Sequence, residues 1–234
     1  MIKKDQPTIF GKQLIAAVSS VADGNMRLGL ADSDDVVTEN RRKFLSPQMI
    51  AMQSTILCNV SYDREDFTRY LRVRTADKGQ GIVENTEIAV ADGIATDEKR
   101  IALFLPLADC TGAILYDPKR SALMVSHLGR HSSEQYGARK SVEFMKEKFG
   151  SHPEDILVWL SPAPNGTAYP IWVRNNQSSH DVTRNDLLEA GVKQENIQIS
   201  PVDTVTDSNY FSHSEFLKGN REQDGRYAIV AMMR

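Results

Sequence analysis

The stretch Ile101–Leu128, IALFLPLADCTGAILYDPKRSALMVSHL, decides how the rest of the chain is read. Ile101 to Leu107 is an almost unbroken apolar run, Ala108-Asp109-Cys110 is a polar break, and Thr111 to Tyr116 is a second apolar run. Asp117-Pro118-Lys119-Arg120 follows, and then Ala122 to Val125. Short apolar runs bounded by turn residues read as buried strands. Asp at the first position and Pro at the second suit a type I turn, so residues 110–127 are expected to form an antiparallel hairpin. With Pro118-Lys119 as a two-residue loop, Asp117 pairs with Arg120, and the same register sets Cys110 opposite His127. Opposed residues share a face with Cβ atoms about 4.5 to 5.5 Å apart, within reach of a thiol–imidazole hydrogen bond or a shared metal ion.

Working outward, Leu14 to Val21 reads as a buried strand. Asp34 to Leu45 reads as a helix, with Asp34 or Asp35 as its cap and Val36, Val37, Asn40, Arg41 and Phe44 at helical spacing. On the other side, Ser132-x-x-Gln135 has the pattern of a capping box, opening a helix through Ala138, Val142, Met145 and Phe149 that Gly150 ends. Ile156–Leu160, Ile197–Ser200 and Tyr227–Met232 read as strands, and Thr183–Ala190 as a helix stopped at Gly191. A hairpin among mixed strands and helices predicts an α+β class, a layered α/β sandwich of mixed sheets with flanking helices. Without repeats or a Gly/Ser linker, residues 1–234 are expected to be one domain.

Composition narrows the partners. Against 31 Asp and Glu stand 28 Lys and Arg, a formal charge of -3, so no basic excess points to nucleic acid. The opening MIKKDQPTIFGKQLIAAV has only a short apolar stretch, and no window reaches the roughly 18 to 20 apolar residues of a membrane span. The expected location is therefore cytoplasmic, with no membrane partner. Cys58 and Cys110 form no CxxC pair and are expected to be free thiols.

The chemistry-bearing pair is Cys110 and His127. A neutral imidazole beside a thiol can take its proton, giving a better nucleophile and a better zinc ligand. The bland alternative is a buried small side chain beside a hydrogen-bonded histidine at a strand end. The residues alone leave both open.

Leu107-Ala108-Asp109-Cys110 followed by Val125-Ser126-His127-Leu128-Gly129 resembles the "ADC…H-A-G-W-R-G" core of the YfiH-like laccase-domain family, often described as polyphenol oxidase or laccase. The resemblance runs in order along almost the whole chain. Glu39-Asn40-Arg41 is similar to the family's "NR" helix, and Ala91-Asp92-Gly93-Ile94-Ala95-Thr96 to its "ADALVT" segment. Ser161-Pro162-Ala163 resembles "GPAIG", Leu187 to Val192 a "QL…AGV" helix end, and Asp203-Thr204 a "CT" pair. Phe211-Ser212-His213 is similar to "FFS(Y/H)RR", and Gly225-Arg226 to "GR".

The resemblance implies a three-layer α+β fold. It also implies a zinc held by His, Cys and His, and purine nucleoside phosphorylase and adenosine deaminase activity on nucleoside and phosphate, with arginines on the anion. Cys110 and His127 then become catalytic residues and metal ligands, and Arg74, Asp109, Arg130 and Arg226 substrate contacts. Copper is not expected, because His, Cys and Met in copper-site spacing are too few.

Departures accompany the matches. Aligned on the family's "RQVHG" strand, Leu71-Arg72-Val73-Arg74-Thr75 places Arg74 where its first histidine stands, and a guanidinium does not ligate zinc at neutral pH. On this alignment Arg74 is expected in the old metal pocket. "HAGWRG" has become His127-Leu128-Gly129-Arg130-His131-Ser132, and "RR" has become Ser214-Glu215. Zinc is thus left with two of the three or four ligands it needs, unless His131 supplies another. Three functions stay open: a purine-nucleoside enzyme, a thiol hydrolase or deamidase like the catalytic domain of the cytotoxic necrotizing factor toxins, and a pseudoenzyme that binds a nucleoside, anion or protein without turnover. The sequence leaves the oligomeric state open.

Overall fold

In the computed structural model, which describes residues 1–82, 88–166 and 168–234, the apolar ribbon quoted above is divided between two sheets. The strands in chain order are β1 (Leu14–Val18), β2 (Thr55–Leu57), β3 (Tyr70–Arg72), β4 (Gly93–Thr96), β5 (Ala102–Leu107), β6 (Thr111–Asp117), β7 (Ala122–Leu128), β8 (Leu157–Leu160), β9 (Ile197–Ile199) and β10 (Tyr227–Met233). The helices are α1 (Asp34–Leu45), α2 (Arg130–Glu134), α3 (Gly137–Phe149), α4 (Ser179–Glu189) and α5 (His213–Leu217). One sheet runs β1-β10-β5-β2 and the other β3-β4-β7-β6-β8-β9, each mixing parallel and antiparallel pairs.

The polar break at 108–110 is where the chain leaves one sheet for the other. Asp109 has φ 67°, the left-handed region, and this sharp reversal carries the ribbon from β5 into β6. The sheets pack face to face over a shared core that includes Leu103, Leu105, Ile114, Leu123, Val125 and Ile229. Ala138, Val142 and Met145 of α3 cover the outer face of the six-stranded sheet, and Phe44 and Leu45 of α1 cover the outer face of the other. The layered α+β expectation holds: two mixed sheets with helices flanking them. Among the described residues no helix is long and apolar enough to cross a membrane.

The hairpin loop differs from the two-residue expectation. Asp117 pairs with Ala122 across a four-residue loop, because the Asp117 carboxylate accepts hydrogen bonds from the Lys119 and Arg120 amides and Ser121 closes the turn at φ 50°. His127 therefore lies opposite Gly112, not Cys110. The slip amounts to two places, and side chains alternate with period two, so Cys110 and His127 still face the same side.

The Ser132 capping box is not formed. Gly129 stands at the N-cap of α2, Ser132 lies inside that short helix with its hydroxyl unpartnered, and Gln135 instead ties the Phe67 amide and the Glu65 carbonyl. Tyr136, at φ 60°, separates α2 from α3. Helix α1 begins after Ser33, and α4 begins earlier than the apolar spacing indicated, its Ser178 hydroxyl accepting from the Asp181 amide.

One feature of α1 reaches towards the site. Arg41 is 1% exposed and donates to the carbonyls of Met26, Gly81 and Ile82, while its neighbour Asn40 donates to the carbonyl of Asn25. The pair that the "NR" resemblance marked thus grips the loop at residues 24–27. Burial holds the Arg41 guanidinium down to about 10, still charged at neutral pH. Replacing Arg41 by Met takes the donor from three carbonyls and is expected to cost about 2–4 kcal/mol in urea denaturation. Arg42→Met, at a surface ion pair with Glu39, is expected to change stability by less than about 0.5 kcal/mol.

Candidate functional site

The open end of the layer between the sheets forms a cavity of about 510 Å³. Its wall includes Ala108, Asp109 and Cys110 from the sheet-switching turn, His127 from the end of β7, and Val60 and Tyr62 from the segment beyond β2. Tyr169, His213, Ser214 and Leu217 close it on another side, and Arg27 and Arg226 on a third.

Cys110 and His127 meet here around a third group that sequence reading missed. The Tyr62 hydroxyl lies 3.4 Å from His127 Nε2 and 3.8 Å from Cys110 Sγ, and its ring stands edge-on to the imidazole. Gly129 makes the close approach possible: a Cβ there would lie 2.8 Å from His127 Cε1 and 3.0 Å from Cys110 Sγ. The His127 amide donates to the Asp92 carbonyl at 2.7 Å, which fixes the ring's starting point, and the Asp92 carboxylate is itself paired with Arg69.

Burial decides the charge state of this cluster. It pushes the Cys110 thiol up to about 11, with the Tyr62 hydrogen bond opposing, and the His127 imidazole down to about 4. The phenol of Tyr62 is also raised, chiefly by Cys110 and then by burial. At neutral pH the three groups are a thiol, a neutral imidazole and a phenol.

The other residues singled out from sequence divide. Asp109 and Arg226 line the cavity; Arg74 and Arg130 do not. Asp109 is 4% exposed, and its carboxylate accepts from Thr204 Oγ1 at 3.1 Å and from the Ser214 amide at 2.7 Å. Arg226 donates to Asp224 and to the Gly225 carbonyl, both at 2.7 Å. Arg130 stacks on Tyr169 at 4.4 Å and Trp172 at 5.0 Å, so it touches the cavity only through Tyr169.

The pocket placement expected of Arg74 is overturned. It lies beyond β3 as the exposed N-cap of a short turn, Thr75–Asp77, because β3 pairs with β4 at the margin of the six-stranded sheet. The segment that does reach Cys110 and His127 extends β2 and brings Val60 and Tyr62 to the cavity. His131 is also excluded as a further ligand: its side chain is exposed and stacks on Phe67 with ring centroids 4.6 Å apart. His213 lines the cavity but is paired with Asp224 at 3.1 Å.

These donors do not fit a zinc ion of the kind the resemblance implies. Such a site needs three or four ligands at about 2.0 to 2.3 Å. Among the described residues no group of three His, Cys, Asp or Glu is placed to hold a metal, and beside Cys110 and His127 the third group is a protonated phenol.

Residues 15–180 match the family model described as multi-copper polyphenol oxidoreductase laccase, and the chain belongs to that family. It is 28% identical to the purine nucleoside phosphorylase YlmD of Bacillus subtilis, over 81% of this chain and 76% of the relative. In structure it is similar to YlmD from Geobacillus stearothermophilus, with TM-score 0.86 and 21% identity over 100% of this chain and 98% of the other. It is also similar to the hypothetical protein YfiH of Bacillus licheniformis, with TM-score 0.84 and 22% identity over 95% and 93% of the two chains.

The raised thiol has a direct readout. In a Cys58→Ala background, iodoacetamide at pH 7.5 is expected to alkylate Cys110 at least tenfold more slowly than free cysteine, whose pKa is about 8.5. The rate should climb as pH rises towards 11. A Cys110 that reacts at the free-cysteine rate at pH 7.5 would contradict this.

Proposed function

We propose that the cavity receives a purine nucleoside, and that the chain cleaves it by phosphorolysis without a resident zinc. The observation that carries this reading is the convergence of Cys110, His127 and Tyr62 on one cavity that also presents the ring of Tyr169. The relatives named as purine nucleoside phosphorylases support the substrate class. Phosphorolysis breaks the bond between the sugar C1′ and the base nitrogen and forms a bond from C1′ to a phosphate oxygen. The departing base gathers negative charge on its nitrogens, and hydrogen-bond donors aimed there stabilise the transition state. A neutral thiol and a phenol are such donors, and aromatic rings offer the base a flat apolar face.

Deamination of adenosine, also implied by the family, needs a water made nucleophilic. An imidazole whose conjugate acid lies near 4 is a weak base for that step, so phosphorolysis is the favoured chemistry. The same burial holds the thiol above its usual range, which weighs against a thiol hydrolase or deamidase. The incomplete ligand set favours one second reading, a protein that binds the nucleoside without turning it over.

Incubation with adenosine or inosine and phosphate, followed by chromatography of the released base, separates these readings. Base release is expected, with at least a tenfold drop in Cys110→Ala, and elemental analysis of the same sample is expected to give well below one zinc per chain. Nucleoside binding with no release above Cys110→Ala would establish the second reading, and no binding would end both. Stoichiometric zinc would overturn the metal-independent form of the proposal.

A further inference from the structure

A second histidine on the cavity wall stands outside the cluster of Cys110, His127 and Tyr62. His213 opens α5, and its half-exposed imidazole lines the cavity. Its Nδ1 lies 3.1 Å from both oxygens of the Asp224 carboxylate. Burial raises the Asp224 carboxyl, but the hydrogen bonds and charges of Arg226 and His213 outweigh it and hold the group below the usual carboxylate range. An ionised carboxylate only accepts, so Nδ1 carries the hydrogen. Nε2 has no hydrogen-bond partner among the described residues and is left for a ligand.

The fold fixes both members of this dyad. The Ser212 hydroxyl caps α5 by accepting from the Glu215 amide, and the Ser214 amide donates to the buried carboxylate of Asp109. Asp224 accepts from Arg226 Nη1 at 2.7 Å, and the Arg226 amide donates to Oδ1 of the buried Asn25 at 2.9 Å. The two segments press together at Gly225, where a Cβ would lie 2.5 Å from Phe211 Cε1. A carboxylate that holds Nδ1 in this way turns the far nitrogen of the ring into a positioned site of proton transfer.

Among the described residues, the other titratable groups on the wall are unsuited to that task. Burial raises the Cys110 thiol and the Tyr169 phenol, Cys110 and burial raise Tyr62, and burial lowers His127 to about 4. Asp109 is held by Thr204 and Ser214, and the guanidinia of Arg27 and Arg226 keep their protons. Yet a purine that leaves with the bonding electron pair must gain a proton. A thiol and a phenol held this high donate hydrogen bonds to it without surrendering theirs.

We propose that His213, oriented by Asp224, is the general acid that protonates the leaving purine. This role rests on the phosphorylase reading and supplies the step it leaves open. As the C1′–N9 bond breaks, its electron pair moves onto the base, and the Nε2 proton of the His213 imidazolium passes to base N7. An oxygen of monohydrogen phosphate forms the new bond to C1′. The neutral imidazole then regains a proton from solvent, matching the one that the sugar phosphate sheds, so no net proton is consumed. His213 is a catalytic residue here, and Asp224 is a positioning residue.

The test compares phosphate-dependent release of base from inosine and from 7-methylinosine, whose base is already quaternised at N7 and departs without needing a proton. In His213→Gln, folded by circular dichroism, inosine cleavage is expected to fall at least about a hundredfold while 7-methylinosine cleavage stays within about threefold of wild type. Asp224→Asn is expected to shift the same ratio in the same direction by a smaller factor, because the imidazole keeps a partner but loses the charge beside it. A purely structural role would lower both substrates together. Equal losses on the two substrates in either variant, or a wild type that cleaves inosine but not 7-methylinosine, overturns the assignment and leaves the phosphorylase reading standing. Release of neither base by the wild type ends that reading and the assignment with it.

Discussion

Most of what is functional in this chain depends on Asp109. The residue takes a left-handed conformation that side chains other than glycine adopt at a cost. Its carboxylate is buried with two donors, the Thr204 hydroxyl and the Ser214 amide, which together offset the loss of water. Three results follow from one residue. The chain crosses from one sheet to the other, Cys110 arrives at the open end of the layer between them, and the start of α5 is tied down beside the cavity. A carboxylate that sequence comparison suggests as a substrate contact is thereby committed to architecture.

The cluster at that end is an example of burial overruling proximity. A thiol next to an imidazole in water trades a proton readily, and the charged pair is the reactive one. Here desolvation disfavours both charged forms and acts on the two groups in opposite directions, thiol up and imidazole down, so the uncharged pair wins. Tyr62 reinforces this, because its hydroxyl reaches both partners. Donation and acceptance of hydrogen bonds, not acid–base strength, are what this cluster has to offer a ligand.

The legible part of the sequence was the part governed by local pattern. Helix α1 matches its expected bounds, and β5, β6, β8, β9 and β10 were found from apolar runs, because long periodic or continuous apolar segments carry their own signal. Strands β2, β3 and β4 are only three or four residues long and gave no such signal. Apolar pattern therefore does not distinguish the segment beyond β2, which brings Tyr62 to the cavity, from Leu71–Thr75, where the resemblance places Arg74. The hairpin register failed for a different reason: a side-chain acceptor at Asp117 lengthened the loop, and composition alone does not distinguish the two loops. Cys110 and His127 reached a common site only because the error was an even number of residues. Arg27 and Asn25 had no motif to announce them: Asn25 Oδ1 accepts from the amides of both Arg27 and Arg226, a partnership made wholly by the tertiary fold.

That partnership joins residues 201 positions apart, Asn25 and Arg226, and it sits at the entrance to β10. Strand β10 follows every other strand in the chain yet lies in the interior of its sheet, between β1 and β5. Neither β1 nor β5 pairs with the other directly, so the order β1-β10-β5 exists only with β10 in place. Only then are both halves of the cavity wall present, so a ligand held there opposes withdrawal of the strand on which its sheet closes.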